Sequence, residues 1–488
     1  MHTTRSAPRP SAFSEAALAR VIPMTKGQRV IFSICSRNYL HYARALFASM
    51  RSHMPDATLL LVLADGEDED GEDLKAFVGT EVIPVSVIGI PTMFDMAMRY
   101  NVTEFNTSIK PYVFDWLFEL GAVSVIYLDP DTYFYRKPTE VFTALDDEQM
   151  DAVVTPHLTK PLDMDKRPSE LRILQTGVYN LGFLALARSE ATSAFVRWWA
   201  SFMPADCRSD LKSGIFVDQK YIDLLPSYVP QTKILRHPGY NTAYWNLVHR
   251  PVKANGGEWT AGGAPLVFMH FSGVRADDDQ TVSVHQDRLS YDDLGDGKQL
   301  FDAYRQVLRD GLATLKTHGI SRRYAFDRFT NEAIIEGPIR KLYAKTIPPR
   351  AASFEEAFDP SLPFYSAPSG IIQHSERPLV SNVMYDLWQR KGHLQKTFDL
   401  KNPSQTEAFA LWMATAGHQE WKIQKDHIPE AVWQRLQERQ SLRFKLSAFY
   451  FVLAQAIKKF SFIFPKPMRR LGVRFNRAIL PRVIGRAK

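Results

Sequence analysis

The chain opens on polar, proline-bearing text and then begins to alternate. RVIFSIC (Arg29–Cys35) is a short apolar run bounded by polar residues, the pattern of a strand covered on both faces. Apolar positions from Tyr39 to Met50 recur at helical spacing, and Leu59–Leu63 is a second buried strand. Glu81–Ile88 predicts a third strand, Ile109–Leu120 a helix, and Ser124–Leu128 (SVIYL) a strand that stops at Asp129. Between the second and third strands, Ala64–Asp73 is an acidic surface loop. Strands alternating with helices predict an α/β domain with a mostly parallel sheet. Ligands of such sheets gather at the carboxyl ends of the strands, where Cys35–Tyr39 and Asp129–Asp131 both fall.

Beyond about Gly295 the pattern changes. Leu300–Leu315 and Ser404–Ala416 read as helices, the second with Ser404 and Glu407 at capping-box spacing, and strand-like runs become scarce. Ile347–Pro349 and Pro360–Pro368 read as a linker or extended arm. The organisation expected is a loose leader over 1–28, an α/β domain over 29–295, a mainly helical region over 296–442 and a basic tail over 443–488.

Composition narrows the class. The 488 residues are 45% hydrophobic and 23% charged, which excludes a mainly disordered chain. Two cysteines, Cys35 and Cys207, allow at most one disulfide and cannot build a four-thiolate zinc site. No apolar run reaches the ~20 residues that span a bilayer, and the first residues hold no uninterrupted apolar core of a secretory signal. A soluble, reducing, cytoplasmic setting is the expectation.

The net charge of +7 is unevenly spread. Of the 60 Lys and Arg, twelve lie between Arg443 and Lys488, where there is no Asp or Glu, so the first 442 residues carry 48 against 53 acidic, net −5. The tail mixes Arg469, Arg470, Arg474, Arg477 and Arg482 with Leu471, Phe475, Ile479 and Leu480. That is the pattern of an amphipathic segment on an anionic membrane, with peripheral attachment to the inner face of the plasma membrane as its consequence. A helix packed on the domain with a solvated basic face fits it equally. Nucleic acid is not expected as a partner, because the body of the chain is acidic and carries no nucleic-acid fold signature.

Four features carry chemistry. In IYLDPDTYFY (Ile126–Tyr135), Asp129 and Asp131 sit one residue apart just past an apolar strand. Such a pair can hold Mn²⁺ or Mg²⁺ and leave positions open for a nucleoside diphosphate; Asp-Pro-Asp is equally good turn chemistry. In PLVFMHFSG an apolar run ends at His270, with Gly273 three residues on. Imidazole ligates Mn²⁺ and glycine admits a phosphate close to the backbone, while a satisfied core histidine is the plainer alternative. In QTGVYNLGFLALAR, Asn180 and Gly182 interrupt an apolar run, so Asn180 needs partners, a sugar hydroxyl or a turn. Asp218 and Gln219 open an amphipathic helix as a site pair or as a simple cap.

In their order, Asn38-Tyr39, Lys110, Asp129-x-Asp131, Asn180-Leu181-Gly182, Asp218-Gln219 and His270-x-x-Gly273 resemble the GT-A-fold glycosyltransferases. The similarity is to the retaining family-eight type, which uses nucleotide sugars, and it covers about Arg29 to Arg275. The resemblance implies a Rossmann-like GT-A catalytic domain with Asp129, Asp131 and His270 as Mn²⁺ ligands. Asn38 and Tyr39 would hold the uridine, Lys110 would lie near the donor, Gly273 would meet the diphosphate, and Asn180, Asp218 and Gln219 would surround the donor sugar as catalytic residues. The family continues with a lysine that would fall at Ala276; Arg275 is expected to take over that phosphate contact. If stereochemistry is inverted rather than retained, Asp218 is the first candidate base. Leu379–Glu420, with Trp388, Phe398 and Trp412, resembles a helical region that accompanies bacterial polysaccharide-assembly glycosyltransferases, although a plain aromatic core explains it too.

The expected activity is transfer of a hexose from a nucleotide diphosphate, a UDP-sugar, to a surface-glycan or lipid-linked acceptor. A sugar nucleotidyltransferase is the enzyme alternative, disfavoured because SICSRNY has no glycine-rich loop. A non-catalytic, membrane-recruited scaffold with a decayed site is the other. There is no Gly-x-Gly-x-x-Gly, P-loop, HExxH or Gly-x-Ser-x-Gly, and GGEWTAGG (Gly256–Gly263) reads as a hairpin or loop.

Overall fold

The structure is a computed structural model that describes residues 12–66, 77–162, 165–367, 369 and 379–438. The basic tail, the start of the leader and most of the acidic loop lie outside the described residues. The chain divides into two compact units, one reaching to Phe326 with Pro349–Ser353 added, the other comprising Asp327–Pro348 and the chain from Phe354 on.

The first unit is built on a seven-stranded sheet. Its order is Thr232–Ile234, Ala152–Pro156, Tyr179–Ala187, Ser124–Leu128, Arg29–Cys35, Thr58–Leu63, Glu81–Pro84. Only Tyr179–Ala187 runs against its neighbours, so the α/β, mostly parallel sheet read from the sequence is the one observed. Nearly every residue of the five central strands is buried, as both faces are covered, and this is why they read as unbroken apolar runs. Leu40–His53 follows the first strand and Lys110–Glu119 precedes the Ser124 strand. Glu190–Asp206 packs along Lys110–Glu119, with the fully buried Trp199 ring 6.4 Å from that of Phe114. Cys35 and Cys207 are both buried and free.

Several boundaries differ from the sequence reading. The third strand stops at Pro84 and continues as a 3₁₀ turn, Val85–Ile88, because proline offers no N–H to prolong the ladder. The leader is not loose throughout: Ala12–Thr25 is a helix that buries Ala17 and Val21, one turn apart. The Gly27 amide N then donates to the Gly121 carbonyl at 2.9 Å. GGEWTAGG forms the turns around a hairpin strand, Glu258–Ala261, paired with Val252–Asn255.

The division between units falls after Phe326 rather than at 295. The helix Gly297–Thr317 belongs to the first unit because its stripe of Leu300, Phe301, Tyr304 and Leu308 is buried there. The Tyr304 ring stacks on Phe271 at 3.9 Å and 10°. Gly311 sits where a Cβ would be 3.4 Å from the His41 carbonyl, so the helix passes close to Leu40–His53. The text changes at 295 because element type changes, while the packing continues.

The described part of the second unit is helical, with one isolated bridge between Arg328 and Ile334. The helix expected from Ser404 is Pro403–Trp412, followed by a π turn, Met413–Gly417. Its cap is Asn402, whose side-chain oxygen accepts from the Ser404 and Gln405 amides, so the capping box read at Ser404 is two residues late. Glu407 pairs with Arg435 instead. The second proline-rich stretch holds a short helix, Pro363–Ser366, and buries Tyr365, so it is no extended arm there. Trp388 donates its indole N–H to the Phe398 carbonyl at 2.8 Å, and Phe398 stacks on Trp412 at 5.6 Å, which makes these aromatics a core. Among the described residues no helix is long and apolar enough to cross a membrane.

Phe301→Ala tests the placement of the Gly297–Thr317 helix. Phe301 is 2% exposed against Phe271, so the substitution should lower stability by about 3–5 kcal/mol, read as a shift in the denaturant midpoint. A midpoint unchanged from wild type would detach this helix from the sheet unit.

Candidate active site

The site grows from the end of the Ser124–Leu128 strand. The Asp129 amide N donates to the Gly182 carbonyl at 2.9 Å, so the chain leaves the strand beside Asn180-Leu181-Gly182. Thr132–Phe134 then pairs antiparallel with Phe268–His270, which sets His270 opposite Thr132. The Phe271 amide N donates to the Asp131 carbonyl at 2.8 Å and closes the junction. A third segment joins when the His270 amide N donates to the Thr242 carbonyl at 2.8 Å, bringing Asn241 alongside.

Asp129, Asp131 and His270 thereby form a cluster whose ligand atoms all lie within 4.8 Å of one another. His270 Nε2 is 3.0 Å from Asp131 Oδ1 and 3.6 Å from Asp129 Oδ2. A neutral imidazole with a bare Nε2 is an acceptor facing acceptors, an arrangement that a proton or a cation relieves. Two carboxylates and an imidazole suit Mn²⁺ or Mg²⁺. The Asp129 and Asp131 side chains keep 29% and 15% of their surface exposed, so one side of the cluster stays open to a ligand. Burial disfavours a charged His270, but Asp131 and then Asp129 outweigh it and hold the ring above its ordinary value. Burial pushes the Asp129 carboxyl up, with Lys110 and His270 pulling the other way. Tyr127 donates its hydroxyl to Asp129 Oδ1 at 2.5 Å.

Behind the cluster is a buried ion pair. Lys110 Nζ is 2.7 Å from Asp218 Oδ2, with 2% and 1% of the side chains exposed, and it lies 4.1 Å from the Tyr127 ring centroid. Burial lifts the Asp218 carboxyl to about 6 although Lys110 opposes the shift. Asp218 caps no helix, and Val217 before it takes a φ of +42°, rare for a β-branched residue. Gln219 holds the backbone: its Oε1 accepts from the Leu181 amide at 2.9 Å and its Nε2 donates to the Thr176 carbonyl at 2.9 Å.

The remaining expected residues lie on the facing edge. Asn38 and Tyr39 occupy the 3₁₀ turn Arg37–Tyr39 after the first strand. Tyr39 is 42% exposed and stacks on Tyr42 at 4.7 Å, while Asn38 Oδ1 is buried without a hydrogen-bond partner among the described residues. Tyr42 donates its hydroxyl to the Val274 carbonyl at 2.8 Å, which ties this turn to Gly273–Arg275. Gly273 has a φ of +75°, and a Cβ there would fall 2.6 Å from Ser283 Oγ. Arg275 is exposed and engaged by Asp277 in a bidentate pair at 3.0 and 2.7 Å.

Gly182 explains itself only in three dimensions, since a Cβ there would lie 2.3 Å from His270 Cε1. Two neighbours were not singled out by the sequence. Asn241 and Asn180 both place a side-chain oxygen near His270 Nδ1, and His157 Nε2 is 3.1 Å from Asn180 Nδ2. His157 follows an apolar strand directly, the same signal that marked His270. Asn241, in GYNT, offers no local signal.

No protein-family model matches the chain. It is similar to two uncharacterised proteins of Bacillus subtilis (strain 168). YfnF is 24% identical over 251 residues, 50% of this chain and 80% of that protein. YfnD is 21% identical over 245 residues, 49% and 76%. Solved structures that it resembles include glycosyltransferases. Mouse xyloside xylosyltransferase 1 in its apo form matches at 13% identity and a TM-score of 0.31, over 50% of this chain and 97% of that one. The galactosyltransferase LgtC with donor and acceptor sugar analogues matches at 11% and 0.35, over 57% and 95%. Apo GlyE of Streptococcus pneumoniae TIGR4 matches at 14% and 0.35, over 59% and 64%. Overlaps this loose leave the chemistry to be argued from the site's own groups.

Two outcomes test this geometry. Gly182→Ala should displace His270 and abolish Mn²⁺ binding measured by titration calorimetry, while the circular dichroism of the folded protein is kept. His157 is buried and its ring is pushed down to about 4 from the ordinary 6.5, burial being the main cause. The folded state therefore needs it neutral, and that stability is complete above 6.5 and lost as pH falls toward 4. The stability advantage of wild type over His157→Gln should shrink across that window by about 1.4 kcal/mol per pH unit. A difference that does not vary with pH would mean that the ring titrates normally.

Proposed function

We propose that the chain is a metal-dependent GT-A glycosyltransferase that moves a sugar from a nucleotide diphosphate, a UDP-sugar, with retention, to a surface-glycan or lipid-linked acceptor. One observation carries the reading: an open cluster of Asp129, Asp131 and His270 at the carboxyl end of a parallel strand, backed by the buried Lys110–Asp218 pair. The sequence motifs fall at this edge in the order the family uses.

A divalent cation held by Asp129, Asp131 and His270 would neutralise the charge that builds on a departing nucleoside diphosphate. The protein's own groups do the rest. Tyr39 presents an exposed aromatic face suited to stack a base, with the unpartnered Asn38 Oδ1 beside it as an acceptor for a base N–H. Gly273 leaves room where any side chain would meet Ser283, which suits backbone approach to a phosphate. Arg275 reaches a phosphate by exchanging it for Asp277, and guanidinium suits either partner. Asp218 is buried and held by Lys110, which makes it a poor base for an acceptor hydroxyl and favours retention, with the leaving phosphate taking the proton. We further propose a cytoplasmic site of action, with the cations of the 443–488 tail suited to an anionic membrane surface.

Nucleotide release from a panel of UDP- and GDP-sugars, with Mn²⁺ or EDTA, tests the reading without knowledge of the acceptor. Release from one donor should require Mn²⁺ and fall at least ~100-fold in Asp131→Ala, on the scale of losing one electrostatic stabiliser. No release from any donor, joined to no Mn²⁺-dependent binding of UDP or GDP, would remove the metal assignment and leave the scaffold alternative.

A further inference from the structure

The resemblance sets Asn180 beside the donor sugar, but its hydrogen bonds give the side chain another task. The Gly182 amide can only donate, and it points at one oxygen of Asn180 from 3.0 Å, which identifies that atom as Oδ1. The other end, Nδ2, then donates to His157 Nε2 at 3.1 Å and faces Gln219 Oε1 at 3.5 Å. His157 must accept at Nε2 and so carries its proton on Nδ1, which lies 3.3 Å from the Val178 carbonyl, an acceptor. The two assignments agree independently.

The same reasoning passes to Asn241. Its Nδ2 donates to Asn180 Oδ1 at 2.9 Å and to Thr155 Oγ1 at 2.8 Å, so Oδ1 is the atom 3.1 Å from His270 Nδ1. Asn180 Oδ1 lies 3.2 Å from that same nitrogen. His270 Nδ1 therefore meets two amide oxygens and donates to them, while Nε2, turned toward Asp131 and Asp129, either carries a second proton for those carboxylates or, in the neutral ring, is bare for a cation between them. Both amides are buried, and the Asn241 backbone is itself held: its φ is +51°, tolerated by asparagine, and its carbonyl accepts from Asn246 Nδ2 at 3.0 Å. A ring whose outer nitrogen is tied in this way keeps its tautomer and orientation for a metal.

We propose that Asn180 and Asn241 are positioning residues that fix His270 as its Nδ1–H tautomer and aim the Nε2 lone pair at a cation between Asp129 and Asp131. The inference rests on the metal assignment made above, but its primary readout does not require sugar transfer.

The test uses the full chain labelled with ¹⁵N histidine, with the His270 signals identified by their loss in His270→Gln and read with the ring neutral. Nδ1 should appear protonated and Nε2 unprotonated. Asn241→Gly keeps the left-handed backbone free of strain and removes one acceptor. It should shift the ring toward a tautomer mixture and weaken Mn²⁺ binding, measured by electron paramagnetic resonance, by about tenfold. Asn241→Asp retains an oxygen against Nδ1 and should keep the wild-type tautomer. An Nε2–H ring in the wild type overturns the proposal, as does an Asn241→Gly protein with unchanged tautomer and unchanged Mn²⁺ affinity. A wild type that binds Mn²⁺ through an Nδ1–H His270 yet releases nucleotide from no donor supports the positioning role and counts against the proposed reaction.

Discussion

The site depends on a short antiparallel pairing, because Asp131 and His270 lie far apart in the chain and only the ladder between Thr132–Phe134 and Phe268–His270 brings them together. Three residues a side is little to hold two charged groups in register. The ladder is supported on both flanks: Phe268 is buried against Phe134 and Phe183, and the Thr242 carbonyl receives the His270 amide from the other edge. Register matters in such a pairing, since a slip of one residue would turn His270 to the opposite face. The apolar partners of Phe268 are thus what keep a polar neighbour in place.

Charge imposes the second constraint. Three carboxylates, Asp129, Asp131 and Asp218, crowd against Lys110 and His270, with Asp218 fully buried and the other two on the open side. Lys110 offsets Asp218 directly, which leaves the two forward carboxylates dependent on a protonated His270 or on a bound cation. Isolated buried charges are costly enough that such a cluster persists only with compensation close at hand. The buried pair behind and the open cluster in front are two answers to that one requirement: the rear charge is neutralised within the fold, the front one by something that can come and go.

Much of this was legible in the sequence, and the reason is local. Strands such as Leu59–Leu63 and Ser124–Leu128 announce themselves by continuous burial, and the residues that end them, Asp129 and His270, stand out as polar groups at the edge of apolar runs. What could not be read depends on partners remote in the chain. Asn241 matters because Asn180 and His270 meet it, and nothing within GYNT says so. The Gly297–Thr317 helix looks like the start of a new region because its own pattern is helical; that it packs on Leu40–His53 is a fact about the other helix as much as about itself. The Ser404 cap was missed by a smaller margin, since Asn402 and Ser404 are both good caps and Pro403 at the first helical position decides between them.

The side chains around the cluster divide by whether their bonds are already used. Asn180, Gln219 and Asp218 are buried and engaged by fixed partners, so a ligand that bound them would have to break those bonds first. Tyr39 is exposed, Asn38 Oδ1 has no partner among the described residues, and Arg275 holds an exposed carboxylate that solvent can replace. Leaving a buried acceptor unsatisfied costs stability, whereas exchanging one exposed partner for another costs little, so ligand contact falls to the second group and geometry to the first. A residue can therefore occupy a position that a family reserves for substrate and still serve the metal ligands behind it. Asn180 is such a residue, because the three donors that converge on its oxygen, Gly182, Asn241 and His270, leave little room for a fourth.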